Sequence, residues 1–343
     1  PTVLLGTPFL VAAEARLQIV PPLLSTKWGR FPLIPYPGTS VTCFSTEATS
    51  DSTEVELSEA DTKALKDLLD QSTAGDDTRK HLEMLFRRHL HCWGGEHLGC
   101  TTVEHHKVVL DTPDPLRQAP RTFTSSQLQV IIDEAHNMLK QQVIQLSSSP
   151  YSSEVVLARK ADGSWRFCVD YRHINAHTIK DRFPLSRIND LLRHVRIASH
   201  FISLDLRAGY WQVSMDEASI PVTAFRAHNV LYEFTRMPFG LSNAPATFSR
   251  LMEKLLGDLY FRGVCVYLDD VLIYVSSPAE VLALLDTVLS RFKDANLTLS
   301  LKKCKVLPRT IKYLGYMLSN GELRPVEPKV EALGRLRPPR NLK

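Results

Sequence analysis

Two aspartates, Asp269 and Asp270, stand side by side in Val-Cys-Val-Tyr-Leu-Asp-Asp-Val-Leu-Ile-Tyr-Val, an otherwise apolar, β-branched run over residues 264–275. The flanks 264–267 and 271–275 have the composition of buried strands. An uncompensated carboxylate there costs several kcal/mol, and no Lys or Arg lies between Gly263 and Val275 to pair with it. Neighbouring side chains on a straight strand face opposite ways, so the pair also calls for a bend. A tight hairpin with the acids at its tip meets both demands. Such a tip is either an ordinary acidic turn or a site for Mg²⁺, whose hard charge suits carboxylate oxygens. Asp205 repeats the pattern at the end of Phe-Ile-Ser-Leu-Asp (201–205), shortly before Gly209-Tyr210-Trp211. Three such acids drawn from two strands would repel one another unless cations neutralise them. Two Mg²⁺ ions held by three carboxylates form the clamp used for in-line phosphoryl transfer, one activating the attacking oxygen and the other steadying the leaving pyrophosphate.

The elements that must position these acids are mixed. Residues 155–159 and 165–169 read as strands joined by Lys160-Ala-Asp-Gly-Ser164, a hairpin turn with Asp-Gly. Residues 200–206 form a strand ending at Asp205, and helices are expected over 185–195, 244–256 and 282–295. The last carries Leu282, Leu285, Val288, Leu289 and Phe292 on one face. Upstream, residues 58–69 read as an N-capped amphipathic helix. Residues 81–90 read as a second, and 127–142 as a third with Val130, Ile131, Ala135 and Leu139 at helical spacing. The first 20 residues contain a short helical stretch through Ile19, and 21–55 have the Pro, Ser and Thr content of a linker. No regular βαβ repeat, internal repeat or glycine-rich phosphate loop is evident.

The chain of 343 residues has ample apolar content for sizeable cores. No apolar run long enough to span a bilayer and no charged-then-apolar leader is visible, so no membrane partner is expected. The six cysteines form no framework, which suits reduced thiols. Charge is unevenly distributed: residues 1–150 carry 13 Lys/Arg against 18 Asp/Glu, and residues 151–343 carry 28 against 19. A basic half joined to an acidic metal pair fits a polyanion whose phosphates meet the metal, and on charge alone an ordinary solvated basic tail fits as well. A further cluster, His89, His91, Cys92, His97, Cys100, His105 and His106, contains ligand types suited to zinc in Cys92, His97 and Cys100. Its spacing matches no paired Cys-x₂-Cys signature, and its glycines mark a loop.

Four stretches carry a resemblance to a known family. They are Asp162-Gly-Ser-Trp-Arg-Phe-Cys-Val-Asp-Tyr-Arg172, Ser203-Leu-Asp-Leu-Arg-Ala-Gly-Tyr-Trp-Gln212, Met237-Pro-Phe-Gly-Leu-Ser-Asn-Ala-Pro-Ala-Thr-Phe248 and Tyr267-Leu-Asp-Asp270. Together, in this order, they make the chain from about Leu57 onward similar to the reverse transcriptase of gypsy-type long-terminal-repeat retrotransposon Pol polyproteins. The resemblance implies an α+β right-hand polymerase fold: fingers and palm over 146–343 with an antiparallel palm sheet, mostly lacking the thumb. A helical N-terminal extension and the start of the fingers would occupy 56–145. Residues 5–10, Leu-Gly-Thr-Pro-Phe-Leu, resemble the close of a retropepsin-like protease, so 1–20 reads as its C-terminal remnant; the catalytic Asp-Thr-Gly or Asp-Ser-Gly of that family is absent. Residues 338–343 resemble the point where the thumb begins, which makes the chain look like an internal piece of Pol or the product of a truncated copy.

The resemblance also assigns roles. Asp205, Asp269 and Asp270 match the metal-binding aspartates, with the Leu206 carbonyl as an extra ligand. Lys160 and Arg166 match the residues that grip the incoming triphosphate, an ammonium and a forked guanidinium. Tyr210 matches the aromatic gate beneath the sugar, which selects deoxynucleotides by collision with a 2′-hydroxyl. Phe239 and Gly240 match the loop that packs on nucleotide and template. Leu314 and Gly315, within Tyr-Leu-Gly, match the primer grip, and Lys303 is placed near the pyrophosphate as a proton donor. On residue type alone, Lys160 would be a solvated turn lysine, Tyr210 and Trp211 core aromatics, and Pro238-Phe239-Gly240 a turn. The implied function is RNA- and DNA-directed DNA polymerisation with two Mg²⁺, Mn²⁺ being able to substitute. The implied partners are an RNA or DNA template-primer, dNTPs and the thumb, RNase H and integrase of a parent Pol. The implied setting is cytoplasmic, within virus-like particles. The alternative is a truncated or domesticated copy that binds nucleic acid without polymerising.

Overall fold

The computed structural model describes residues 58–326, apart from positions 96, 161, 162, 320 and 321 and the side chains of 278 and 279, together with three strands near the N-terminus. Those strands, Arg16–Ile19, Pro22–Thr26 and Gly29–Pro32, form an antiparallel meander within a unit of its own, residues 1–55. This corrects the expected helix through Ile19 and the linker reading of 22–32. Arg-Leu-Gln-Ile alternates with a period of two, which suits a pleated strand better than a helical stripe. The protease-like residues 5–10 and the thumb-like residues 338–343 lie outside the described residues.

In the second unit, residues 56–343, two sheets dominate. A five-stranded mixed sheet runs in the order Ile144–Leu146, Val230–Phe234, Phe225–Ala227, Ser153–Arg159, Trp165–Asp170. A four-stranded antiparallel sheet runs Val264–Tyr267, Asp270–Val275, His200–Asp205, Lys305–Val306. Alternation along its second strand sends neighbouring side chains into two cores. Val271, Ile273 and Val275 join the larger one, where the helix Pro278–Asp294 contributes Leu285, Val288, Leu289 and Phe292, all fully buried. Leu272 and Tyr274 join a smaller one with Leu191, Leu192 and Val195 of the helix Ile188–Val195, and with Ile311 and Tyr313. Burial on both faces explains why this strand reads as a continuous apolar run.

The expected helices form, all but Ala244–Leu256 with shifted starts. The helix Glu59–Asp70 is capped by Ser58, whose Oγ accepts from the Asp61 N–H at 3.1 Å. The helix expected over 81–90 starts earlier, as Asp76–Arg88. The third is Ser125–Lys140, opened by a capping box in which the Thr124 and Gln127 side chains bond each other's backbone N–H. Its inward face is Ile131, Ala135 and Met138, while Leu139 points to solvent. No helix of the described residues is long and apolar enough to cross a membrane.

His106, on the strand Thr101–His106, is fully buried; its Nδ1 lies 2.8 Å from the Thr247 hydroxyl and its Nε2 has no partner. Burial holds its pKa down at about 4. The unfolded chain therefore binds a proton below the ordinary histidine pKa of about 6.5 that the folded chain refuses, and stability falls as pH drops from about 6.5 toward 4. Urea unfolding of the wild type should lose about 2 kcal/mol from this group between pH 7 and pH 5. A His106→Gln variant should lack that component of the slope.

Candidate active site

The acidic hairpin is closed by the pair Tyr267 and Asp270, leaving Leu268 and Asp269 as its two-residue loop. Leu268 adopts φ +54°, a left-handed conformation that costs a non-glycine residue about 1 kcal/mol or more. Asp205, ending the neighbouring strand, is in direct register with Asp270. Opposed residues of an antiparallel pair project from the same face, so the fold brings the two carboxylates together with Asp269 beside them. The three acids read from sequence thus form one cluster.

The cluster is partly buried and underneutralised. One carboxylate oxygen of Asp205 and one of Asp269 are buried without a hydrogen-bond partner. Burial, reinforced by the charges of Asp270 and Asp205, pushes Asp269 up to about 6, and burial followed by Asp205 raises Asp270. Lys303 opposes both shifts, and its Nζ lies 3.3 Å from Asp205 Oδ1. A single ammonium against three carboxylates leaves the centre short of positive charge. Partly buried, hard oxygen donors with a charge deficit are the donor set a divalent cation requires.

Distant segments hold the first aspartate in place. The Asp205 carbonyl accepts from the Ser300 N–H at 2.9 Å, and its own N–H points at Cys304 Sγ at 3.4 Å. Leu206, the expected carbonyl ligand, is buried and bridges Leu299. Gln212 is completely buried; its amide donates to the Arg207 and Thr298 carbonyls and accepts from the Thr298 N–H. It ties the turn after Asp205 to the segment carrying Lys303. Gly99 packs so closely on this joint that a Cβ would sit 2.2 Å from the Asn296 carbonyl oxygen. Sequence reasoning gave none of these four supports (Gln212, Ser300, Cys304, Gly99) a role; Gln212 closes the second of the stretches that carry the family resemblance, which was the available signal.

Next to the acids lies an aromatic stack. Tyr210 is buried in a 3₁₀ turn that follows Ala208, at φ +45°. Its ring stacks on Phe239 at 5.0 Å between centroids and leans on Phe248 at 5.5 Å. Burial and then the charge of Asp269 raise its phenol pKa, so it stays protonated. Phe239 is half exposed above it, and Gly240 has φ +97° with its carbonyl accepting from Asn175. At Gly240 the backbone conformation, rather than space, excludes other residues, since a Cβ would meet only ordinary contacts at 3.6 Å.

The remaining expected residues sit on separate hairpins. Lys160, in the turn joining Ser153–Arg159 to Trp165–Asp170, and Arg166, on the second of these strands opposite Ala158, are exposed, and neither forms an ion pair among the described residues. No described contact joins them to the three aspartates. Leu314 and Gly315, at φ +48° and +80°, make the two-residue turn between Ile311–Tyr313 and Tyr316–Ser319, the left-handed pairing favoured in tight hairpins. Tyr313, just before the turn, is buried against Cys265; burial raises its pKa first, and the charges of Cys265 and Asp270 add to it. Of the residues proposed for zinc, His97 and Cys100 lie apart from Cys92; the donor atoms that gather are those of His89, His91 and Cys92.

With this geometry in view, comparison with known proteins is informative. Residues 158–318 match the family described as reverse transcriptase (RNA-dependent DNA polymerase). Among curated proteins, the retrovirus-related Pol polyprotein from transposon 297 of Drosophila melanogaster is 35% identical over 251 residues, 72% of this chain and 24% of that protein. The corresponding polyprotein from transposon gypsy of the same fly is 33% identical over 207 residues, 59% of this chain and 20% of the relative. The chain thus spans about a quarter of the length of the curated relatives it matches. Among solved structures, a foamy viral protease-reverse transcriptase in complex with RNA/DNA hybrid superposes with a TM-score of 0.73 at 23% identity, covering 83% of this chain and 39% of that one. The same viral protein in complex with dsDNA gives 0.72 at 23% identity, covering 83% and 60%. The likeness to these structures shows the fold, and the antiparallel four-stranded sheet described above is its palm. Through residues 158–318, which carry Asp205, Asp269 and Asp270, the chain belongs to the reverse transcriptase family, alongside the Pol polyproteins of gypsy-type retrotransposons.

Proposed function

We propose that this chain adds deoxynucleotides to a primer 3′-hydroxyl on an RNA or DNA template. The observation that carries this reading is the register of Asp205 against Asp270, with Asp269 in the adjoining turn and one of its carboxylate oxygens buried without a partner. Asp205, Asp269 and Asp270, with the Leu206 carbonyl, would hold two Mg²⁺ ions, or Mn²⁺ in their place. Bound there, these ions would supply activation of the attacking 3′-oxygen and neutralisation of the leaving pyrophosphate. The protein's own residues do the rest. Lys160 and Arg166, exposed and free of acidic partners among the described residues, are available to the triphosphate. Tyr210, fixed between Phe239 and Phe248, presents a rigid floor to the sugar. The Leu314-Gly315 turn approaches the primer end, and Lys303, paired with Asp205 through a largely exposed side chain, is free to turn toward the departing pyrophosphate. The net positive charge of residues 151–343 supports a nucleic-acid partner, and the foamy viral relative is one captured with RNA/DNA hybrid and with dsDNA.

Primer extension on RNA and DNA templates, run beside a salt-titrated binding assay with the same template-primers, tests this. Extension that requires a divalent cation, with binding that weakens steeply as salt rises, is the expected result. Salt-sensitive binding without extension under any divalent cation would replace the polymerase reading with that of a nucleic-acid-binding protein.

A further inference from the structure

The helix Asp76–Arg88 runs into a short 3₁₀ turn, Leu90–Cys92, that packs on the helix Pro278–Asp294. Three donor atoms, one each from His89, His91 and Cys92, lie within 4.8 Å of one another here. The approach of His91 Nε2 to Cys92 Sγ is 3.1 Å. His89 is only 4% exposed; its Nε2 lies 2.7 Å from Asp286 Oδ1, while its Nδ1 is buried with no partner at all. An imidazole with one nitrogen on a carboxylate and the other unpartnered is arranged as metal-binding histidines are, the carboxylate fixing the tautomer and raising the basicity of the free nitrogen. Cys92 is fully buried, its Sγ near the Leu289 carbonyl at 3.3 Å.

We propose that His89 Nδ1, His91 Nε2 and Cys92 Sγ bind a borderline divalent cation of the zinc type, with Asp286 as the residue that positions His89. Two imidazoles and a thiolate select such a cation over Mg²⁺, which takes oxygen ligands. Tetrahedral bonds of about 2.0–2.3 Å place nitrogen and sulfur donors about 3.4–3.6 Å apart, so the His91 and Cys92 donors, 3.1 Å apart, need to open slightly, and no separation in the trio, at most 4.8 Å, needs to close by more than roughly 1 Å. The three donors leave the fourth position to water. The cation would fix the shape of the turn after Asp76–Arg88, which His89 already ties to Asp286 of Pro278–Asp294, the helix that supports the palm sheet. This site shares no ligand with the three aspartates and does not depend on polymerase activity.

Cobalt(II) titration of the full, reduced, metal-stripped chain tests the proposal. The expected result is one equivalent bound with a sulfur-to-cobalt charge-transfer band and tetrahedral visible absorption, both displaced by zinc. Cys92→Ala should abolish the charge-transfer band. His91→Ala, at a half-buried position that tolerates truncation, should weaken binding at least 10-fold, and Asp286→Asn 10- to 100-fold with the band retained. Cys100→Ala and Asp269→Asn should leave the titration unchanged. Absence of the band in the wild type, its survival in Cys92→Ala, its loss in Cys100→Ala, or unchanged affinity in His91→Ala would each overturn the proposal.

Discussion

Asp269→Asn should lower primer extension by about 10³-fold or more while making the metal-free protein more stable at neutral pH. Both effects come from one cause. Asp269 occupies the turn of the acidic hairpin, beside Asp270 and Asp205, with a buried oxygen that nothing satisfies. Burial and its two acidic neighbours push its pKa from 3.8 up to about 6. The folded chain therefore holds this proton more tightly than the unfolded one, and stability falls as pH rises from about 4 to 6. Above that window the whole cost is present. An asparagine never ionises, so thermal melts in chelator should favour the variant by about 1–2 kcal/mol at pH 7.5, after allowance for solvent screening. The advantage should vanish below pH 4, where wild-type Asp269 is protonated in both states. A residue kept at a stability cost for its chemistry behaves in this way. Retained extension, or lost extension accompanied by lower stability at pH 7.5, would show that Asp269 is a structural residue.

The second large effect is expected at Tyr210. Its ring is held from one side by Phe239 and from another by Phe248, and Gly209 beside it approaches the Phe248 ring so that a Cβ would sit 3.3 Å away. A ring clamped on two sides cannot swing away from a 2′-hydroxyl, so under the proposed function discrimination would come from an unrelieved clash. Tyr210→Val removes the obstacle. The ratio of kcat/KM for a deoxynucleotide over that for the matching ribonucleotide should drop by roughly 10²-fold, chiefly through a gain for the ribonucleotide. Steady-state kinetics with both substrates on one template-primer make the comparison. Equal losses for both substrates would mean that Tyr210 only fills the core.

How far these residues could be read from sequence depended on whether their partners are local. The acidic hairpin was legible because its demands are met within a dozen residues: apolar flanks, two charges and a required bend. The helix Ala244–Leu256 was placed to the residue, because Pro245 in its first turn and Gly257 after its last residue punctuate it. Helix starts were missed where the signal was a cap rather than a stripe, as with Thr124 and Gln127. The supports of the site were illegible for another reason. Gln212 meets Thr298, Asp205 meets Ser300 and Cys304, and His89 meets Asp286, each across 86 residues or more. No periodicity within a window reports such pairings. The parallel contact of Thr101–His106 with Val213–Met215 escaped for the same reason.

The strand Asp270–Val275 divides its side chains between two cores, and this has a consequence for how the gene can vary. Substitutions that keep volume and apolarity are tolerable on either face. Changes of length are not. Deleting one residue at the Leu268-Asp269 turn would slide the strand by one position, exchange the occupants of the two cores and move the second carboxylate away from Asp205. The distance in residues from Val264 to Val275 is therefore under tighter constraint than the identity of any single apolar residue within it.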